Sequence, residues 1–415
     1  MNEEIMLSHL SKYLLIPTAT IAMLLGLQNV ARGAYLTLWD NGSSENRVDI
    51  FFLGDGYTAA DVDTTYVSHI DAMLQHLFNE GENPYPRYKN FFNVHSVDVI
   101  SNESGADIPP EGIFRDTALD ASYYFDGEID RLLYINEVKA NQVLVDNLPN
   151  ISLAEIRLVT VNDTRYGGGG GFYAVYAGGN SDATEVALHE LGHSFNGLAD
   201  EYGGSSEPYM GTEPFEINVT QSPTGDKWSH WLGYEQPGIG IIGAYEGARY
   251  YDTGLYRPSE NSKMRSLGRP FDAVSREKII LDIYNLVNPL DSWLDNTTPL
   301  FNPDKLWVDL IDPNVIDINW FVNGTLVSEA EDEWFRLTDY GFGSGIYEVT
   351  ARAFDSTDWV RINRDVLEQS VSWTVQVEVP DEVAVPEPRT LLGLVGASIL
   401  TLMGYPRQSS KSRKL

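Results

Sequence analysis

The chain has 415 residues, no cysteine, and 60 acidic against 28 basic side chains, a formal charge of −32. Disulfide scaffolds and thiolate metal sites are thereby excluded, and nucleic acid would be repelled. The apolar share of 43% is ordinary for a folded protein, and the length is that of two or three domains.

An apolar run, Leu14 to Leu27, follows Lys12 and leads to the small residues of Ala31 to Ala34. This is the pattern of a secretory signal over residues 1–33, cleaved near Gly33. The acidic Glu3 and Glu4 are unusual in such a leader, and a buried helix is the plain alternative. From Arg47, VDIFFL reads as a buried strand, GDGYTAAD as a turn, and residues 58–78 as a helix with apolar spacing. A second strand is expected over Phe91 to Ile100, mostly helix over 122–147, and a third strand over Ile156 to Asp163. Strands alternating with helices predict an α/β (α+β) unit over residues 34–298. Gly167 to Gly171 lacks the Gly-Lys-Ser/Thr ending of a phosphate loop. It reads equally as bare backbone for a substrate strand or as a flexible loop.

After about Pro299 the texture changes to short strands between turn residues, with Asn323-Gly324 as a hairpin turn. A small all-β, immunoglobulin-like sandwich is expected over 299–378. By analogy it presents the rest of the chain or binds a surface partner. Residues 379–415 hold an acidic, proline-containing linker, an apolar segment from Leu391 to Tyr405, and a basic end with Arg407, Lys411, Arg413 and Lys414. Such a basic end stays on the cytoplasmic side of a membrane, and the apolar segment is short for a full span. A body between these two ends is exported.

The chemistry concentrates in HELGHSFNGLADEY, His189 to Tyr202. On a helix His189 and His193 share a face and can present ring nitrogens to one Zn²⁺, with Glu190 beside the open position as general base. The preceding SDATEVAL carries helix-start signals, Asp182 as cap and Glu185 three residues on, and Gly197 ends the helix. A histidine-bearing core helix is the structural alternative. Zinc needs a third ligand, and Asp200 and Glu201 both follow closely. Metzincins continue HExxHxxGxxH or HExxHxxGxxD. Here the glycine comes one residue late, but Gly-x-x-Asp is kept, which favours Asp200 and leaves Glu201 open. His230, between Ser229 and Trp231, is a weaker choice. Met264 could floor the site as in the metzincin methionine turn, or simply fill the core. Arg265, Tyr250, Tyr251 and Tyr256 are candidate oxyanion donors, with nothing to choose among them.

HELGHSFNGLADEY, KMR, VDIFFLGDGYTAAD, FFNVHSVDVISNESGAD and RYGGGG together resemble the IgA-peptidase family, metallopeptidase family sixty-four, over about Arg47 to Asn288. The resemblance implies a zincin-type, metzincin-like catalytic domain with endopeptidase activity. It places His189 and His193 on zinc and makes Glu190 the base. The tail resembles a PEP-CTERM sorting signal, which implies an exosortase-type partner, passage through the membrane, and an envelope, surface or matrix location in a bacterium. The expected function is a zinc endopeptidase acting on protein or peptide substrates. The rival is a non-catalytic envelope or matrix adhesion protein on the same scaffold, and a cell-wall amidase would use the same zinc chemistry. Structural calcium is compatible with an acidic exported chain, but no calcium-loop spacing supports it.

Overall fold

The structure is a computed structural model that describes residues 34–79 and 83–379. The signal segment at 1–33 and the sorting tail from 380 lie outside the described residues. Among the described residues no helix is long and apolar enough to cross a membrane.

Six strands, β1 (Tyr35–Trp39), β2 (Val48–Asp55), β3 (Phe92–Val97), β4 (Ile156–Val161), β5 (Gly168–Gly170) and β6 (Ala174–Ala177), form one sheet in the order β1-β3-β2-β4-β6-β5. The inner four run parallel, and both edge strands are antiparallel. A parallel sheet core is covered on both faces, so VDIFFL carries an unbroken apolar run. Successive side chains divide between the faces. Ile50 and Phe52 pack on one side with α1 (Val67–Leu77), α3 (Ala183–Ser194) and α4 (Ala273–Tyr284). Phe51 and Leu53 pack on the other with α2 (Glu137–Asn147).

The expected helix over 122–147 is corrected to α2 alone. The chain before it is bonded otherwise. Buried Asp55 accepts the N–H groups of Leu119 (2.9 Å) and Ala121 (2.8 Å), and Ser122 bridges Tyr134 in strand-like fashion. Asp120 and Tyr124 take positive φ, 53° and 57°. Helix formation would break these bonds without replacing them. It starts only where Asn136 caps the N–H groups of Val138 and Lys139.

Beyond α3 come a short ribbon, β7 (Glu235–Gln236) with β8 (Gly240–Ile241), and a hairpin, β9 (Tyr245–Ala248) with β10 (Tyr251–Arg257). The last unit has strands β11 (Leu290–Trp293), β12 (Leu300–Phe301), β13 (Leu306–Leu310), β14 (Ile316–Val322), β15 (Thr325–Leu326), β16 (Trp334–Phe335), β17 (Gly345–Asp355) and β18 (Glu368–Val377). They make two sheets, β11-β13-β16 and β12-β18-β17-β14-β15. Trp320 stacks on Phe335 of the smaller sheet at 5.2 Å, so the two inner faces share one core. Asn323 and Gly324 turn with φ of 51° and 76°, the conformation that an Asn-Gly hairpin takes. The first strand of this unit begins upstream of Pro299, and the unit packs into the same hydrophobic core as α1, α3 and α4.

One half-buried acid, Glu155, makes stability pH-dependent. Desolvation pushes the Glu155 carboxyl up to about 7, against the stabilising N–H of Asp49 at 3.0 Å. The folded chain therefore holds a proton that the unfolded chain releases near its ordinary value. Its contribution is complete below that value and is lost as pH rises through about 7. Glu155→Gln keeps the acceptor for Asp49. Urea unfolding is expected to show it more stable than the parent at pH 8, by about 1–3 kcal/mol after screening. The two proteins should be equal near pH 4.

Candidate active site

α3 carries HELGH, as expected. Its start differs from the capping-box reading. Asp182 makes no side-chain capping bond, and Glu185 turns instead to Lys263, to His76 at 3.3 Å and to the Gly268 N–H at 2.7 Å. Burial opposes charge on Glu185, but these partners outweigh it and hold its pKa down at about 2. The fully buried Lys263 thus ties the 263–268 turn to the helix.

That turn reaches the histidines. The Nδ1 of His189 faces the carbonyl of Lys263 at 3.1 Å, and the Nδ1 of His193 faces the carbonyl of Leu198 at 2.6 Å. With Nδ1–H donating to a carbonyl, each ring turns its Nε2 inward. The two Nε2 atoms lie 3.1 Å apart. Asp200 Oδ1 lies 3.0 Å from one and 3.3 Å from the other. Ligand bonds of about 2.0–2.1 Å in a tetrahedral zinc site put neighbouring donors about 3.3 Å apart, so this triangle fits one ion. Two imidazoles and a carboxylate are also a donor set that suits zinc.

The helix end explains how Asp200 arrives. Gly197 takes φ of 60°, and the Leu198 N–H closes on the Gly192 carbonyl at 3.0 Å. That closing turn is one residue wider than the usual glycine-terminated end. It absorbs the late glycine and brings the chain back over the histidines. Neighbouring Glu201 goes the other way. It is fully buried, accepting from Asn218 Nδ2 (3.0 Å) and Ser262 Oγ (2.6 Å), and burial beside Asp272 raises its pKa well above normal. His230 is bonded to Glu277 at 2.5 Å and is not part of the triangle.

Asp200 Oδ2 accepts a hydrogen bond from Tyr250, whose ring meets Tyr202 edge-on at 5.2 Å. Tyr250 and Arg249 form the two-residue turn of the β9–β10 hairpin, with φ of 68° and 50°. Such turns favour Asn and Gly, and a bulky aromatic there is strained. Backbone strain of this kind is held where surrounding contacts fix it. Here the Arg249 N–H bonds the Asp200 carbonyl (2.8 Å) and the Tyr250 N–H bonds the Tyr202 carbonyl (2.9 Å). Of the three tyrosines read as candidate oxyanion donors, Tyr250 lines the cleft and Tyr251 and Tyr256 do not; Tyr251 packs on Tyr209 at 5.1 Å. Nothing local singles out Tyr250 among its neighbours, because its partner lies 50 residues away.

Met264 is fully buried beneath α3, and a Cβ placed on Gly192 would come within 2.7 Å of its sulfur. Part of the glycine run, Gly168 to Gly170, is a strand at the edge of the main sheet. Gly168 and Gly170 belong to β5, and the outward N–H and C=O of Gly168 are taken by Arg131 and Leu133. A Cβ on Gly168 would stand 2.9 Å from Glu190 Oε1. A Cβ on Gly170 would stand 2.6 Å from His193 Cβ and 2.8 Å from Glu190 Oε2. Glycine lets the motif helix lie against the strand. Gly170→Ala is expected to lower activity about a hundredfold by displacing the helix. Gly171→Ala, whose Cβ would meet only Tyr134 at 3.9 Å, should be neutral in the same assay.

Glu190 sits between α3 and β5. Burial raises its carboxyl above the ordinary range, and the charges of His189 and His193 oppose that rise. Burial also disfavours charge on His193. Its bond to Asp200 and the charges of Asp200 and Glu190 prevail and hold it up at about 9. The whole group opens into a cleft of about 780 Å³ walled by the 129–134 segment, β5, α3, the 249–250 turn and residues 265–267. Titratable groups with opposed environments gathered in one cleft mark a candidate active site.

No curated protein matches the chain. Residues 36–240, the segment that contains His189, Glu190, His193 and Asp200, match the family model IgA Peptidase M64. That match, falling on the segment that holds the histidine–carboxylate triangle, supports a metallopeptidase of the IgA Peptidase M64 family.

Proposed function

We propose that the chain is an exported zinc endopeptidase of zincin, metzincin-like type, carried by one observation: His189 Nε2, His193 Nε2 and Asp200 Oδ1 converge within 3.3 Å while Glu190 stands beside them in an open cleft. His189, His193 and Asp200 would hold the ion. When bound there, zinc supplies a Lewis acid that polarises the scissile carbonyl and makes the attacking water acidic. Glu190 takes the proton from that water and delivers it to the departing amine. Enclosure between α3 and β5 raises the affinity of its carboxyl for that proton, and the histidine charges limit the rise. Tyr250 holds the second oxygen of Asp200, so that Oδ1 alone faces the histidines. Export rests on the sequence of residues 1–33 and 379–415, with sorting by an exosortase-type enzyme.

The test is digestion of a peptide mixture by the purified protein, with new termini read by mass spectrometry. Internal cuts that disappear with chelator and return with zinc are expected. An unchanged mixture at full zinc occupancy would favour the adhesion scaffold.

The ligand set has its own test. Asp200→Ala is expected to lose zinc on dialysis, whereas Glu201→Gln, which changes a side chain turned away to Asn218 and Ser262, keeps it. Tyr250→Phe should weaken zinc binding or activity about 10- to 100-fold, the usual effect of removing a bond to a ligand. Metal analysis showing full zinc in Asp200→Ala would remove Asp200 from the site.

A further inference from the structure

The cleft is lined by three arginines and three acids, whereas the whole chain has more than two acids for each base. The chain has a formal charge of −32, yet the basic residues lining the cleft are three arginines, Arg131, Arg249 and Arg265. The acids lining it are already engaged. Asp200 is held by two imidazoles, Glu190 is enclosed between helix and strand, and Glu216 is buried beside Arg249 at 3.4 Å. Arg131 and Arg265 differ from Arg249. Both are exposed, and among the described residues neither has a carboxylate within ion-pair distance. Arg131 lies beside the Tyr202 hydroxyl, and Arg265 spends one N–H on the Glu260 carbonyl at 2.8 Å. The remaining guanidinium donors are available. The two residues stand on different walls. Arg131 is on the segment that covers Gly168, and Arg265 is on the turn behind His189.

We propose, resting on the peptidase reading, that Arg131 and Arg265 select substrate segments carrying acidic side chains around the bond to be cut. A guanidinium matches a carboxylate with two parallel donors, which fixes position as well as charge. Cleft walls also focus the field of a few fixed charges. An acidic peptide meets repulsion over most of this protein and attraction here, so the selection acts at the cleft and not on approach.

Binding separates this proposal from the peptidase reading, since it is measured without cleavage. Full-length Glu190→Gln protein, loaded with zinc, is titrated against a fluorescent decapeptide rich in glutamate and against its glutamine twin. At low salt the glutamate peptide should bind about tenfold more tightly, and the difference should shrink at 0.3 M salt. Arg131→Gln and Arg265→Gln should each remove part of the preference, and the double variant all of it. Arg269→Gln, exposed but outside the cleft lining, should change nothing. Equal binding of the twins, binding of neither, or an unchanged preference in the double variant would overturn the proposal. Failure to cut peptides with the acidic preference intact would instead count against the peptidase reading alone.

Discussion

Glu190→Gln is expected to keep the metal, keep the fold, and lower peptide cleavage by about a thousandfold or more. The amide has the shape of the carboxyl and cannot take a proton from water. Space around it is fixed by Gly168 and Gly170, so the side chain stays where it is. Burial already disfavours charge at this position, and a neutral side chain removes that cost. The melting temperature should therefore hold or rise. Glu190 lies close enough to both histidines for the three donor groups to fall within 4.8 Å of one another, so its role has to be separated from that of a ligand. Metal content makes the separation. Cleavage lost with zinc retained assigns a proton-transfer role. Zinc lost together with cleavage would place Glu190 among the ligands, and cleavage within tenfold of the parent would place the base elsewhere.

Much of this site is legible in the sequence, because its signals are local. An i, i+4 histidine pair on a helix needs only helical periodicity to meet. The unbroken apolar run of β2 announces a strand covered on both faces. What stayed open depended on partners distant in sequence. Asp200 and Glu201 are adjacent and chemically alike, and only the fold shows that one faces the histidines while the other is enclosed by Asn218 and Ser262. Residues 122–135 look helical by spacing, but Ser122 bridges Tyr134 as a strand would, directly after Asp55 has taken the Leu119 and Ala121 N–H groups across more than 60 residues. Glu185 looks like a capping residue until Lys263, 78 positions on, claims it. The glycine run was ambiguous because a glycine's meaning lies in what its missing Cβ would meet, and here that includes the motif helix α3.

Asp355→Ala is expected to destabilise the whole chain by about 3 kcal/mol, and not merely the C-terminal sheets. Asp355 ends β17, is almost fully buried, and receives Arg87 at 2.6 Å, Tyr88 at 2.7 Å and Tyr284 at 3.0 Å. All three donors come from the α/β unit. Removing the carboxylate leaves a partly buried guanidinium and two enclosed phenols without their acceptor. A single carboxylate therefore serves both units, as Glu277 of α4 does in accepting the Arg361 N–H at 2.5 Å and Trp231 Nε1 at 2.7 Å. Leu188 beneath the motif and Trp320 between the two sheets belong to one continuous core. A modular appendage would melt by itself. Here calorimetry should give one transition that moves as a whole in Asp355→Ala, with loss of peptidase activity following the same curve. Two transitions, with only one displaced and activity unaffected by it, would show that the β-sheets fold as a separate module after all. Asp355→Asn is the milder control. It keeps an oxygen for the tyrosines and sets an amide against Arg87, so its midpoint should fall between those of the parent and Asp355→Ala.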